Sequence, residues 1–538
     1  MSQKTTGDVI VDSLIHHGVD TVFCIPGAHM YDFNDALARR SDQIQTIHTR
    51  HEQGAAYMAY GYAQTSGKAG VYSVVPGPGV LNSGAALCTA YGANAQVLCI
   101  TGNIMSHLIG QGRGQLHELP DQLATLKGLT KHADRINHQS EAAPKMAQAF
   151  QAMASGRPGP VAVETPWDIF GQAGPAPEHY KAPPFKPTLN PQHIEQAGAL
   201  IAKASRPLIM VGGGARHAAA EVLALARHLN APVTSHRSGK GIVPADDPLA
   251  LDLVAAYDYW EDCDLLIGIG SRLELQHMRW RWQPPHLKTI RIDIDPTEMV
   301  RLKPDCALVG DAADAAGALR EAIPGSTANR TAALKTLKEN ARKKHETVQP
   351  QMAHWDAIRA ALPRDGYVVE EVSQMGFTGR FGFPVYEPGH YVTCGYQDNL
   401  GFGYNTALGV KVANPTKAVV SVSGDGGFLF GLQELATAMQ FGLGVIAIVF
   451  NNGAYGNVLR DQNTVYGGRV LGAELQNPDF VAVARAFGMT AQRVTTAKEL
   501  QSTLESFIKA DAPALIEVPV EQGSETSPWT FLHPAPYA

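Results

Sequence analysis

Gly424-Asp425-Gly426, with Gly427 behind it, ends an apolar run from Ala418 to Ser423 that reads as a buried parallel strand. Asn451-Asn452 ends a second such run, Val445 to Phe450. The stretch between them, Phe428 to Gly444, has helical periodicity. These pieces make a βαβ unit, so both strand ends emerge at one edge of a parallel sheet, where open α/β sheets bind ligands. Asp425 offers a carboxylate and Asn452 an amide oxygen to one hard cation. The glycines let backbone amides approach a diphosphate. Mg²⁺ suits such a site, because it takes oxygen ligands and shares them with phosphate. Alone, the triplet is equally a tight strand-to-helix turn; the paired asparagines at the second strand end point to the cation.

Other residues could do chemistry. Glu52, in His51-Glu52-Gln53-Gly54-Ala55-Ala56, sits where a strand end meets a helix. By itself it is an N-terminal carboxylate favoured by the helix dipole. His29, in Pro26-Gly27-Ala28-His29, lies at the mouth of the first strand. His117 lies in Gly114-Gln115-Leu116-His117-Glu118. A neutral imidazole at either place can donate to, or accept from, a substrate oxygen. Leu400, in Asp398-Asn399-Leu400-Gly401, taken alone is a core leucine.

The elements that must position these groups fall into three α/β segments, and 538 residues are too many for one core. The first, 1–172, alternates helix and strand, with helices at Val9 to His17 and Gln53 to Gln64. Its strands are Thr21 to Ile25, Gly70 to Val75, Gln96 to Thr101 and Val161 to Glu164. A Pro-rich linker spans 173–190. The central segment, 191–345, has strands at Pro207 to Val211, Leu265 to Ile269 and Thr289 to Ile294. Gly212-Gly213-Gly214 follows the first of these, as a nucleotide-binding turn or a plain strand-to-helix turn. The third segment, 346–538, carries the Asp425 motif and a last clear strand at Leu515 to Val520. Its tail from Gly523 is polar and Pro-rich. The expected architecture is three doubly wound parallel-sheet domains, the first and third broadly alike.

Composition excludes other classes. A net charge of −6 with no Lys/Arg stripe gives no footprint for nucleic acid. The 6 cysteines are scattered, without metal spacing, and fit a reducing cytoplasm. The N-terminus lacks a signal-peptide core, and no apolar run reaches the roughly 20 residues that span a bilayer.

The Asp425 and Asn452 motif, in this order behind HEQGAA and Gly61-Tyr62-Ala63, resembles the thiamine diphosphate-dependent enzymes of the acetolactate synthase and benzaldehyde lyase type. Pro76 to Asn82 also matches, departing at Pro76 and Pro78. The resemblance implies a pyrimidine-binding, a central and a diphosphate-binding domain, with thiamine diphosphate and Mg²⁺ as cofactors. It assigns the metal to Asp425, Asn452 and the backbone carbonyl of Ala454. Glu52 becomes the carboxylate that hydrogen-bonds the aminopyrimidine and promotes loss of the thiazolium C2 proton. Pro26, Gly27 and Asn82 line the pyrimidine pocket. Leu400 wedges the cofactor into its bent form. Ser373 and Gln374 flank the diphosphate, with Gly424, Gly426 and Gly427, and Tyr455, Gly456 and Asn457 close the other side. Gly-Ala-His at 27–29 resembles benzaldehyde lyase. His117, or Gln115 if the register slips by two, falls where lyases and synthases of the family carry a glutamine.

The resemblance further implies carboligation or cleavage next to a carbonyl of a 2-oxo acid, aldehyde or acyloin. Simple 2-oxo acid decarboxylation is the alternative within the class. An FAD-containing oxidase is another, resting on Gly212 to Gly214, Gly268 to Arg272 and Asp293 to Pro296. Because the family shares its glutamate across subunits, the active unit is expected to be a homodimer, and the family favours a tetramer. Val470, Leu471 and the tail are expected near the substrate.

Overall fold

Parallel strands covered by helices on both faces must be apolar along their length. The strands that centre each sheet in the computed structural model obey this: Gly70–Val74, Val97–Asn103, Pro207–Val211, Leu265–Ile269, Val419–Gly424 and Val445–Asn451 are buried almost throughout. The structure describes residues 3–280 and 282–535. It contains three six-stranded parallel sheets.

The first sheet runs Gln45–His48, Thr21–Cys24, Gly70–Val74, Val97–Asn103, Val161–Pro166, His132–Arg135. The third runs Tyr391–Thr393, Tyr367–Glu370, Val419–Gly424, Val445–Asn451, Ala514–Pro519, Thr490–Arg493. In both, the strands taken in chain order lie second, first, third, fourth, sixth, fifth, so the likeness read from the sequence is a shared topology. The order reverses between the first and third strands, which is where such sheets open a crevice beyond their carboxyl ends. In the first sheet that places Pro26-Gly27 opposite Val75-Pro76; in the third, Glu371 to Ser373 opposite Gly424-Asp425. The central sheet runs Ala250–Leu251, Val233–Ser235, Pro207–Val211, Leu265–Ile269, Lys288–Asp293, Cys306–Val309.

The first and third domains share a core. Helix Glu52–Ser66 crosses helix Gly403–Ala413 backbone to backbone: a Cβ on Gly61 would lie 2.2 Å from the Thr406 carbonyl, and one on Gly409 1.9 Å from that of Met58. Tyr57 and Tyr60 pack edge-on against Phe402, and the Tyr60 hydroxyl donates to the Thr393 carbonyl at 2.8 Å.

Two local expectations change. The helix read over Phe428 to Gly444 runs from Asp425 to Phe441, tightening to a 3₁₀ stretch at Leu429–Glu434 between Asp425–Phe428 and Leu435–Phe441. The linker is irregular only from 176; Ala173–Pro175 forms an antiparallel pair with Gln3–Thr5. The tail is docked: through Ala535 it lies against the central and third domains, and 536–538 fall outside the described residues. No helix among the described residues is long and apolar enough to cross a membrane.

Candidate active site

Asp425 starts a helix where strand Val419–Gly424 ends, and is only 2% exposed. Its carboxylate accepts from Asn477 Nδ2 at 2.6 Å, and the same amide donates to Asn451 Oδ1 at 2.9 Å. Burial pushes the Asp425 carboxyl above its usual range; hydrogen bonds from Asn477 and the backbone of Gly426 and Gly453 oppose the shift. Asn452 Oδ1 accepts from the Ala454 N–H at 3.1 Å, and its Nδ2 donates to Glu525 Oε2 at 2.9 Å. Asp425, Asn452 and Ala454 thus stand together at two adjacent strand ends.

The glycines beside them are fixed by lack of room. A Cβ on Gly426 would lie 2.5 Å from the Tyr455 ring, and one on Gly427 2.7 Å from the Glu371 carboxylate. Ser373 caps helix Gln374–Gly382 and faces Gly424, where a Cβ would stand 3.4 Å from that of Ser373. Gly456 abuts Asn452 and Gln374. Asn457 Oδ1 accepts from Trp529 Nε1 at 2.7 Å. Gln374 Oε1 and Asn477 Oδ1 are buried without a hydrogen-bond partner among the described residues. This oxygen-rich cradle with glycine walls and spare buried polar atoms fits a divalent cation carried with a diphosphate.

Leu400 lies on the loop above this cradle, half-buried. Asp398, in the left-handed region at φ 43°, is gripped by Arg380 at 2.5 Å and by Arg237 of the central domain at 2.9 Å. Glu371, fully buried, accepts from the Gly401 N–H at 2.5 Å. Burial pushes its carboxyl up to about 7, against hydrogen bonds from Ser423, Gly401, Gly403 and Phe402.

The other group of residues stands at the edge of the first sheet. Glu52 opens helix Glu52–Ser66, and its Oε2 accepts from Asn82 Nδ2 at 3.0 Å. Glu434, from the third domain, fixes the turn before it: the N–H groups of Arg50 and His51 donate to its carboxylate at 3.0 and 2.9 Å. Gly54 is glycine because a Cβ would lie 2.6 Å from Glu434 Oε1. Gly77, at φ 62°, leaves no room for a side chain beside the His117 carbonyl, 2.5 Å from where a Cβ would be. Gly27 likewise faces Val75.

His29 is 2% exposed and stacks on His117, ring centroids 5.2 Å apart, with Trp167 at 4.8 Å on another side. Both Nδ1 atoms are buried and have no hydrogen-bond partner among the described residues. Burial, then the neighbouring His117, holds His29 below its ordinary pKa, so its ring is neutral at pH 7; the Leu116 backbone opposes the shift. Gln115 is exposed, and its backbone pairs with Glu118. Of the two registers open in the sequence, the structure brings His117 to His29 and leaves Gln115 outside.

Among the described residues, no hydrogen bond, ion pair or ring contact joins Glu52, Asn82, His29 or His117 to Asp425, Asn452 or Ala454 within one chain. Each edge is bordered by exposed apolar side chains: Leu81, Met105 and Leu116 on the first, Val458, Val465, Tyr466 and Leu471 on the third. Val470 is 38% exposed, so it and Leu471 are not core. The sequence did not point to Asn477, Glu525, Glu371, Glu434 or Trp167; each arrives from an element far along the chain, and only contact geometry reveals it.

In the central domain, Gly212 and Gly214 press on the backbone of Gly270, a Cβ on Gly212 falling 2.4 Å from its carbonyl. That favours the packing role of this turn. Arg272 lies over the Tyr396 ring at 4.5 Å and donates to the Gly92 carbonyl at 3.1 Å, while Asp295 pairs with Arg157 at 3.1 Å.

Comparison with known proteins finds similarity in all three domains. Residues 4–125 match the N-terminal TPP binding domain of thiamine pyrophosphate enzymes, 194–319 their central domain, and 371–518 their C-terminal TPP binding domain. The chain is 33% identical to a probable acetolactate synthase large subunit of Methanocaldococcus jannaschii, over 96% of its own length and 91% of the relative's. It is 32% identical to a probable 2-ketoarginine decarboxylase of Pseudomonas aeruginosa, over 96% and 94% of the two chains. It is also 32% identical to acetolactate synthase isozyme 2 large subunit of Escherichia coli, over 95% of each. Identity of this extent, with matches to all three domain models, places the chain in the thiamine pyrophosphate enzyme family.

Proposed function

We propose that the protein is a thiamine diphosphate- and Mg²⁺-dependent carboligase or lyase that makes or breaks a C–C bond next to a carbonyl. Its substrates would be 2-oxo acids, aldehydes or acyloins. When bound, the cofactor supplies a carbon nucleophile and an electron sink. Asp425, Asn452 and the Ala454 carbonyl would hold the cation, and the Gly424 to Gly427 turn with Ser373 and Gln374 the diphosphate. Glu52, oriented by Asn82, would hold a proton at the pyrimidine, with Pro26 and Gly27 beside it. Leu400 would support the bend.

The observation that carries the carboligase or lyase reading is the stacked pair His29–His117 at the Glu52 edge. Two stacked imidazoles with ring nitrogens that have no partner among the described residues can bind a substrate carbonyl or hydroxyl and move a proton there. The acetolactate synthases among the relatives support the same chemistry. The Pseudomonas relative supports a second reading, decarboxylation of a 2-oxo acid with release of the aldehyde.

The two half-sites lie on separate, apolar-rimmed edges, which supports an active unit of at least two copies, each giving Glu52 to the other's Asp425 cradle; a tetramer would pair two such dimers. Buried thiols without disulfides suit the cytoplasm.

Mass spectrometry of products after incubation with thiamine diphosphate, Mg²⁺ and either pyruvate or benzoin tests the reading. A C–C coupled product from pyruvate, or benzaldehyde from benzoin, is expected. Acetaldehyde as the sole product would favour the decarboxylase.

A further inference from the structure

Resting on the cofactor reading above, we propose that Glu525 is a positioning residue for the metal site. Its carboxylate orients the Asn452 amide oxygen-first toward the cation and so ties docking of the C-terminal strap to loading of the cofactor.

An asparagine amide has an oxygen end that a cation accepts and a nitrogen end that it rejects. Glu525 Oε2 takes the nitrogen end at 2.9 Å. A carboxylate oxygen accepts a hydrogen bond, so it pairs with the Nδ2 end of the amide. That choice leaves Oδ1 on the side of Ala454, whose N–H donates to it at 3.1 Å and whose carbonyl is the third proposed ligand. Asn477 does the matching work for Asp425. Both side-chain ligands are thus held by outer partners, as metal ligands generally are.

The two holders differ in origin. Glu525 belongs to the strap that follows strand Ala514–Pro519. The strap is tied on either side of the cradle: the Thr526 N–H donates to the Gln349 carbonyl at 2.9 Å, Gln351 Nε2 to the Thr526 carbonyl at 2.7 Å, and Arg460 to Ser527 Oγ at 2.9 Å. Trp529 packs on Phe377 at 4.9 Å. Burial first, and then repulsion from the Asp425 carboxylate, push the Glu525 carboxyl above its usual range, against the hydrogen bond from Asn452. A divalent cation at Asp425 replaces that repulsion with attraction, so the strap docks more firmly when the cation is present, and the cation binds more tightly when the strap is docked.

The test is calorimetric titration of Mg²⁺ into the full-length protein at saturating thiamine diphosphate, with hydrogen exchange of 521–535 read on the same samples. Glu525→Ala should weaken Mg²⁺ by about 10–100-fold, the usual cost of losing an outer partner of a metal ligand. Glu525→Gln, whose side-chain oxygen still accepts from Asn452, should recover most of that loss. Mg²⁺ with thiamine diphosphate should slow exchange in the wild-type strap and fail to do so in Glu525→Ala. Unchanged Mg²⁺ affinity in Glu525→Ala, or an equal loss in the Ala and Gln variants, overturns the inference and leaves the cofactor reading intact. Absence of Mg²⁺-dependent cofactor binding in the wild type overturns both.

Discussion

Glu52 and Glu371 are both carboxyls beside the proposed cofactor, yet their surroundings set them different tasks. Glu52 is partly open, pairs with Asn82 at 3.0 Å and sits at a helix N-terminus, an arrangement that orients its carboxylate toward the first-sheet edge. Glu52→Gln should keep thiamine diphosphate binding while lowering turnover by about 10²–10⁴-fold, the range for a lost acid–base group. Steady-state rates beside a binding titration check it, and unchanged turnover would reject the role. Glu371 is fully buried, with its carboxyl pushed up to about 7. Its free value in an unfolded chain is about 4.3. Between these values the folded protein binds the extra proton and the unfolded chain does not. The stabilisation is therefore complete at the acid end and is lost as pH rises through about 7. Without added cofactor, the wild type should gain stability relative to Glu371→Gln as pH falls from 8 to 5. Denaturant midpoints across that range check it; parallel curves would contradict the assignment.

At the scale of elements, what could be read from the chain tracks how each element is buried. Pro207–Val211 and Leu265–Ile269 were legible residue for residue, because a central parallel strand is apolar on both faces. Gln45–His48, His132–Arg135 and Thr490–Arg493 were not: they lie at sheet edges, and their polar residues break the run that marks a strand. The helix after Asp425 kept its periodicity in sequence but tightens to 3₁₀ in its middle, where Gly431 fits against Asn405 and Glu434 reaches across to the turn before Glu52. For the same reason Asp425 and Asn452 were legible, each closing a strand, whereas Asn477 and Glu525 were not. The contact of helices Glu52–Ser66 and Gly403–Ala413 is another feature that only packing reveals. With a Cβ position 1.9 Å from the Met58 carbonyl, Gly409→Ala must push the helices apart. It should lower the denaturant midpoint by the equivalent of about 1–3 kcal/mol, the cost of overpacking. It should also reduce turnover, because the displaced helix carries Glu52. A variant as stable and active as the wild type would show that the contact is looser than the geometry says.

The whole molecule poses one question that no single chain answers: which Glu52 serves which Asp425. The same strand order recurs in the first and third sheets, and each opens a crevice where that order reverses. One crevice carries Glu52 and the histidine pair, the other the Asp425 cradle, and no contact among the described residues joins them. Exposed Leu81 and Leu116 rim the first, exposed Val465 and Leu471 the second. A two-fold dimer would lay each edge of one copy on the other edge of its partner, covering both and completing two sites at once. Mixing two crippled chains distinguishes this from a site closed within one chain. Glu52→Gln lacks the proton-holding carboxylate; Asp425→Ala lacks the cation ligand and should bind Mg²⁺ and thiamine diphosphate poorly. Each alone should be nearly inactive. In a mixed dimer, one site receives Glu52 from the second variant and Asp425 from the first, and is intact; the other site has neither. Random exchange of copies should therefore restore about a quarter of wild-type activity, as expected for symmetric pairing of shared sites. Recovery should follow the rate of subunit exchange and vanish when the copies are cross-linked before mixing. If the mixture stays as inactive as its components after exchange is complete, each chain closes its own site and the shared arrangement is wrong.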